Sequence, residues 1–140
     1  MTINKFDPKN ANNYNHWVDD NIRFCDQDAA GHVNNTAISQ YVESGRVAYC
    51  RDKLWSLAKG ARFVAARVAI DYLREAHYPG KVRTGTRIAR IGTKSATTIH
   101  GVFVDDICIA SAECVLVHLI GMETTALSEE MRAKLDADLI

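Results

Sequence analysis

The period with which apolar and polar residues alternate changes several times along this chain, and each change marks an element. Residues up to about Asn15 are rich in Asn and suggest a flexible polar lead-in (1–15). Trp17 to Phe24 has modest strand character. The following CDQDAAGHVNN holds too many small, acidic and amide residues for a regular element and is expected to be a loop. Asn34 and Asn35 then open a helical pattern in which Ile38, Tyr41, Val42, Gly45 and Tyr49 share one face. That pattern runs to about Ala58, and Gly60 is a natural stop.

Beyond Arg62 the period shortens. Val64, Ala66, Val68, Ile70 and Tyr72 alternate with their neighbours as on a half-buried strand, although so Ala-rich a stretch is also compatible with helix. Pro79-Gly80 predicts a turn, Lys81 to Ile91 a strand, Gly92 a turn and Lys94 to Val104 another strand. Asp105-Asp106 predicts the next turn, and Ile107 to Ile120 a long last strand. Ser128 followed by Glu129 and Glu130 reads as an N-cap with an acidic first turn, so a short helix is expected over 126–137. Consecutive strands joined by short turns form an antiparallel sheet whose apolar face must be covered. The one long helix is the only element large enough. The expected architecture is therefore α+β, a sheet wrapped around one central helix in a single domain.

Composition narrows the function. A chain of 140 residues with 47% hydrophobic content suits one soluble domain, and a formal net charge of zero argues against a nucleic-acid binder. No stretch reads as a signal peptide or membrane span, so a cytoplasmic protein without membrane association is expected. Cys25, Cys50, Cys108 and Cys114 are widely spaced, with no C-x-x-C pair, and reduced thiols are expected. No short-interval cluster of Cys or His suggests a metal, so none is expected. Cys25 is a weak candidate nucleophile because free cysteines usually act as small buried hydrophobes. Cys108 and Cys114 share strand parity with Ala110 and Ala112, which suggests packing.

The candidate chemistry lies in the loop before the helix, where Asp26, Asp28, Gly31, His32, Asn34 and Asn35 crowd together. A helix start presents unpaired N–H groups and a positive dipole end, which stabilise an anion or a developing oxyanion. A nearby carboxylate supplies a nucleophile or general base. The same residue types are more often only an N-cap and an Asx-Gly turn. Spacing alone leaves both explanations open.

The string IRFCDQDAAGHVNNTAISQYVESGR resembles the signature of the 4-hydroxybenzoyl-CoA thioesterase-like branch of the hotdog superfamily. Its D-x-D-x-x-G-H-V-N-N run falls on Asp26, Asp28, Gly31, His32, Val33, Asn34 and Asn35, with Tyr41, Glu43 and Arg46 following on the helix. DYLREAHYPGKVRTGTRIARIGTKSATTIHGVF is similar to the middle strands and LSEEMRAKL to the tail, so the likeness covers roughly residues 17–135. The resemblance implies a hotdog fold and hydrolysis of an acyl-CoA thioester to a free acid and coenzyme A. It implies no separate cofactor, coenzyme A being part of the substrate.

By the same resemblance Asp28 matches the catalytic aspartate, and the Asn35 backbone N–H matches the group that polarises the thioester carbonyl. Glu43 coincides with the catalytic glutamate of a second branch, so two carboxylates compete for one role. His32 matches a common histidine expected to orient Asp28, Asn34 or a water. Lys94-Ser95 aligns with a Lys-Ser pair whose lysine meets the phosphates of coenzyme A, and Asn34 and Tyr41 are further candidate substrate contacts, Tyr41 also reading as core or pocket wall. Ala30 stands where plant acyl-carrier-protein thioesterases carry Asn, which counts against their arrangement. Two rival functions are a hotdog hydratase or dehydratase, whose H-F-P-G-like signature is missing, and a non-catalytic acyl-CoA binding module. The resemblance also implies a homodimer or dimer of dimers with sites at the interface.

Overall fold

The computed structural model describes residues 6–140. The first five residues of the expected lead-in lie outside that range. Five strands follow in the sheet order β1-β3-β4-β5-β2, all paired antiparallel: β1 (His16–Ile22), β2 (Ala61–Tyr72), β3 (Gly80–Ile91), β4 (Ser95–Val104) and β5 (Ile107–Ile120). A two-residue β6 (Glu123–Thr124) pairs with the end of β5. The helix α1 (Asn35–Lys53) lies against β3, β4 and β1, and α2 (Glu129–Ala137) packs beside β3. This is the sheet around one helix expected from the pattern, and the hotdog architecture that the resemblance implies. The Ala-rich stretch after Arg62 is a strand, because its backbone pairs with β5 along its length.

Helix and sheet meet through the five positions that share the period of α1. Ile38, Tyr41, Val42, Gly45 and Tyr49 are all buried. Gly45 marks the closest approach: a Cβ built there would lie 2.5 Å from the Thr84 Cγ2 on β3. The regular helix ends at Lys53, short of the expected Ala58, and the chain continues as a 3-10 turn over Trp55–Leu57. Leu54 is buried and Leu57 packs on the core, and the three-residue repeat of the tighter turn keeps both on one side. Met131 and Leu135 of α2 complete the same core. Ser128 caps α2 by accepting from the Met131 N–H at 3.2 Å.

The outer face of the sheet has its own cover. Tyr14 packs edge-on against Trp17 and Phe103, and its hydroxyl donates to the Pro8 carbonyl at 2.6 Å. Residues 6–15 are thus laid against the sheet rather than set apart from it, because an outer cluster of Tyr14, Phe103 and Cys108 needs burial. The chain end is tied down at the same time. The Arg87 guanidinium donates to the carbonyls of Asn13, Asp138 and Leu139, and the Tyr49 hydroxyl donates to the Asp138 carboxylate at 2.6 Å.

A β-bulge at Ala66 shifts the register of β2 against β5 between Ala65 and Arg67. The expected single alternation from Val64 to Tyr72 therefore breaks. Phe63 faces the core before the bulge, and Ile70 after it. Val64 ends on the opposite face from Val68. The Asp105-Asp106 turn is as expected, with φ of 50° and 62°, the left-handed pair of a tight hairpin.

Among the described residues, an imidazole is buried in the core without a charge partner. His100 on β4 is fully buried, with its two ring nitrogens 2.9 Å from the Thr86 hydroxyl and 2.7 Å from the Thr98 hydroxyl. Burial pushes this imidazole down to about 3. An unfolded chain binds that proton near the ordinary value of about 6.5, so below it the unfolded state holds more protons and stability falls with pH. The expected slope is up to ~1.4 kcal/mol per pH unit from about 6.5 down to about 3. A His100→Gln variant, followed by denaturant titration between pH 7 and pH 5, should lack this component. An unchanged slope would contradict it.

Candidate active site

The loop before α1 is built by its own polar groups. The Arg23 N–H donates to Asp26 Oδ2 at 2.8 Å and the Asp26 N–H returns to the Arg23 carbonyl at 2.9 Å. These bonds end β1 at Ile22 and fold Phe24–Asp26 into a 3-10 turn, where the sequence pattern extends the strand to Phe24. A second turn follows. The Asp28 N–H donates to the His32 carbonyl at 2.8 Å, and the Gly31 N–H to the Asp28 carbonyl at 3.1 Å. Gly31 at φ 83° supplies the left-handed residue this reversal needs. The Val33 N–H then bonds the Ala76 carbonyl at 2.8 Å, which fixes the loop to the stretch between β2 and β3.

Asn34 is the N-cap of α1. Its side-chain oxygen accepts from the Ala37 N–H at 2.7 Å, so that atom serves the helix rather than a substrate. The next residue, Asn35, opens the helix, and its N–H has no acceptor among the described residues. It therefore offers a free donor at the positive end of the dipole.

Asp28, His32, Asn35, Ile38 and Tyr72 line one pocket. Asp28 is exposed, and its Oδ1 accepts from the N–H groups of Ala30 (2.9 Å) and His32 (3.2 Å). Its Oδ2 has no hydrogen-bond donor among the described residues. One carboxylate oxygen is thus anchored and the other is available. His32 holds Asp28 through its backbone N–H, while its Nε2 lies 3.2 Å from Glu75 Oε2.

The other expected residues lie elsewhere. Glu43 is exposed, 3.5 Å from the Arg46 guanidinium, and lines a different depression with Val18, Asp19 and Asp20. On an α-helix it stands about 80° round the axis and ~12 Å along it from Asn35. Tyr41, expected to belong to the core or to a pocket wall that touches substrate, is only 2% exposed and donates its hydroxyl to Asp26 Oδ2 at 2.7 Å. It is a structural residue because the buried carboxylate of Asp26 needs that donor. Burial raises the Asp26 carboxyl, but hydrogen bonds from Arg23 and Tyr41 more than reverse this and hold it below its usual range. Of the two aspartates in D-x-D, the first is therefore committed to the fold and the second is accessible.

Lys94 is exposed and lies towards the opposite end of β2 from Asp28. Ser95 pairs with Val117, which pairs with Val64 near the start of β2, whereas Asp28 meets the segment after its end. Cys25 is exposed rather than buried, Cys108 and Cys114 are buried as their strand parity suggests, and Cys50 is buried as well. Sequence reasoning missed Arg74 and Glu75, which also line the pocket. Their only sequence signal is their place directly after β2.

The family model of the thioesterase-like superfamily matches residues 22–135. A thioesterase of Thermus thermophilus, solved in complex with coenzyme A and Zn, is 32% identical with a TM-score of 0.79, over 87% of this chain and 98% of that one. A thioesterase-superfamily protein of Jannaschia sp. CCS1 is 25% identical with a TM-score of 0.81, covering 89% of this chain and 83% of that one. The PA5185 protein of Pseudomonas aeruginosa PAO1, at 22% identity and a TM-score of 0.82 over 94% and 96% of the two chains, shares the fold. No curated protein matches. With a matched span covering most of its length and the hotdog architecture around it, this chain belongs to the thioesterase-like superfamily.

Proposed function

We propose that the chain hydrolyses acyl-CoA thioesters, with Asp28 as the working carboxylate and the Asn35 N–H as oxyanion donor. The observation that carries this is their convergence: a carboxylate with one oxygen free and an unpaired helix-start N–H line the same pocket. The thioester carbonyl oxygen would accept from the Asn35 N–H, whose preorganised dipole favours the charge that develops there. Asp28 then attacks the carbonyl carbon, expelling the thiol and leaving a mixed anhydride that water hydrolyses, or takes a proton from a water that attacks the carbonyl and expels the thiol. Either route releases the coenzyme A thiol and a carboxylic acid. A structural relative solved with coenzyme A supports this class of substrate.

A homodimer with shared sites fits the surface. The edge strand β1 carries Asp19 and Asp20, which discourage pairing, but the other edge, β2, exposes Val68 at 43% and Tyr72 at 48%. An antiparallel pairing of two β2 strands would bring the Lys94 end of one chain towards the Asp28 end of the next. Lys94 and Ser95 would then serve a coenzyme A phosphate bound at the partner's pocket, as a flexible ammonium can.

Thiol release measured over a panel of aromatic, short-chain and long-chain acyl-CoAs tests the reading. Release from at least one class is the expected result. Turnover of an enoyl-CoA without thiol release would point instead to a hydratase, and tight binding without release from any ester to a binding module. Sedimentation at micromolar concentration should show at least a dimer, and a monomer would overturn the shared site.

A further inference from the structure

We propose that His32, Glu75 and His77 form a binding site for one divalent transition-metal ion of the zinc class, at the rim of the pocket. One nitrogen or oxygen from each lies within 4.8 Å of the other two. A single backbone bond assembles the set. The Val33 N–H to Ala76 carbonyl bond, 2.8 Å, places His32, just before Val33, beside Glu75 and His77, which flank Ala76. Residues so far apart in sequence leave no motif, and Glu-x-His alone is a weak one.

The His77 ring is held in one tautomer by its backbone partner. The His77 Nδ1 donates to the Gly31 carbonyl at 3.1 Å, so its proton is on Nδ1 and Nε2 keeps a lone pair. Metal-binding histidines are commonly held by such a backbone acceptor on the ring nitrogen that does not bind metal. The His32 Nε2 is 3.2 Å from Glu75 Oε2, and the two imidazoles meet edge to face with centroids 4.9 Å apart. Two imidazoles and one carboxylate are a donor set that zinc accepts with a coordination position left open.

Tetrahedral ligation at ~2.0–2.1 Å separates ligand atoms by roughly 3.4 Å, so the side chains must close in by about an ångström. Their solvent exposure leaves room for that movement and a path for the ion: the His32 side chain is 34% exposed and the Glu75 side chain 67%. Ligation would also stiffen the turn that carries Asp28, since the Asp28 and His32 backbones are already bonded to each other.

The test is calorimetric titration of zinc ions into the full, chelator-stripped chain, beside His77→Gln and Glu75→Gln variants. Saturable binding of one zinc per chain is expected, weakened at least about tenfold in each variant, since even supporting residues change affinity by about 10- to 100-fold. The melting temperature should rise with zinc in the parent chain and less in either variant. Absence of saturable binding, or equal affinity in folded variants, would overturn the site and leave a plain His32–Glu75 contact. Binding is read without turnover, so its failure would not touch the thioesterase reading.

Discussion

Asp28→Asn is expected to lower kcat for acyl-CoA hydrolysis by about 100- to 10,000-fold, the usual loss when an acid-base group is removed. The substitution isolates chemistry from folding. The asparagine side-chain oxygen can still accept from the Ala30 and His32 N–H groups that Asp28 Oδ1 engages. What is lost is the negative charge and the basicity of the second oxygen. KM should change little, because the missing interaction acts in the transition state. Glu43→Gln should leave kcat close to that of the parent, since Glu43 lines a different depression and pairs with Arg46. Thiol-release kinetics of both variants decide the matter. The reverse ranking would transfer the role to Glu43, and full activity in both, singly and combined, would remove carboxylate catalysis.

Asp26→Ala is the second large effect, and it acts on stability. The Asp26 carboxylate, 2% exposed, accepts from the Tyr41 hydroxyl at 2.7 Å, the Arg23 N–H at 2.8 Å and the Arg23 guanidinium at 3.0 and 3.2 Å. Removing it leaves a buried hydroxyl without an acceptor and undoes the turn that ends β1. A loss of about 2–4 kcal/mol follows from the orphaned hydroxyl and the broken charged bonds together. The denaturation midpoint should fall with an unchanged slope. Adding Tyr41→Phe to Asp26→Ala should cost less than the sum of the two single changes, because the orphaned group is then gone. Strict additivity would refute the coupling. The pH dependence has a definite sign: with its carboxyl held below the usual range, Asp26 stabilises above the unfolded value of about 4. That contribution is lost as pH falls through the lower folded value.

Most of the elements were legible in the sequence because their signals are local. The five positions at helical spacing in α1 are all buried, and Asp105-Asp106 adopts the left-handed pair its turn requires. Asn34 caps the helix that its position announces. The strands after Arg62 show in their strand-favouring residues, and their turns follow from Pro79-Gly80, Gly92 and the two aspartates. A motif of adjacent residues is equally local, which is why the loop from Asp26 to Asn35 stood out before any contact was known.

Relations between distant segments were not legible. Periodicity predicts one alternation through β2, yet a bulge at Ala66, required to keep β2 in register with β5, turns Val64 and Val68 to opposite faces. The N-terminal residues look like a polar lead-in, but Tyr14 is buried by the outer face of a sheet that does not exist locally. The difference between Asp26 and Asp28 depends on Tyr41, and the difference between Asp28 and Glu43 on which side of α1 the pocket lies. By itself the sequence determined the elements, their order and the stretch that carries the chemistry, since each depends on neighbours a few residues away. Only the tertiary structure decided which carboxylate is buried, which shares a pocket with the Asn35 N–H, and that His32 meets Glu75 and His77, because those facts depend on pairings across the sheet and loops.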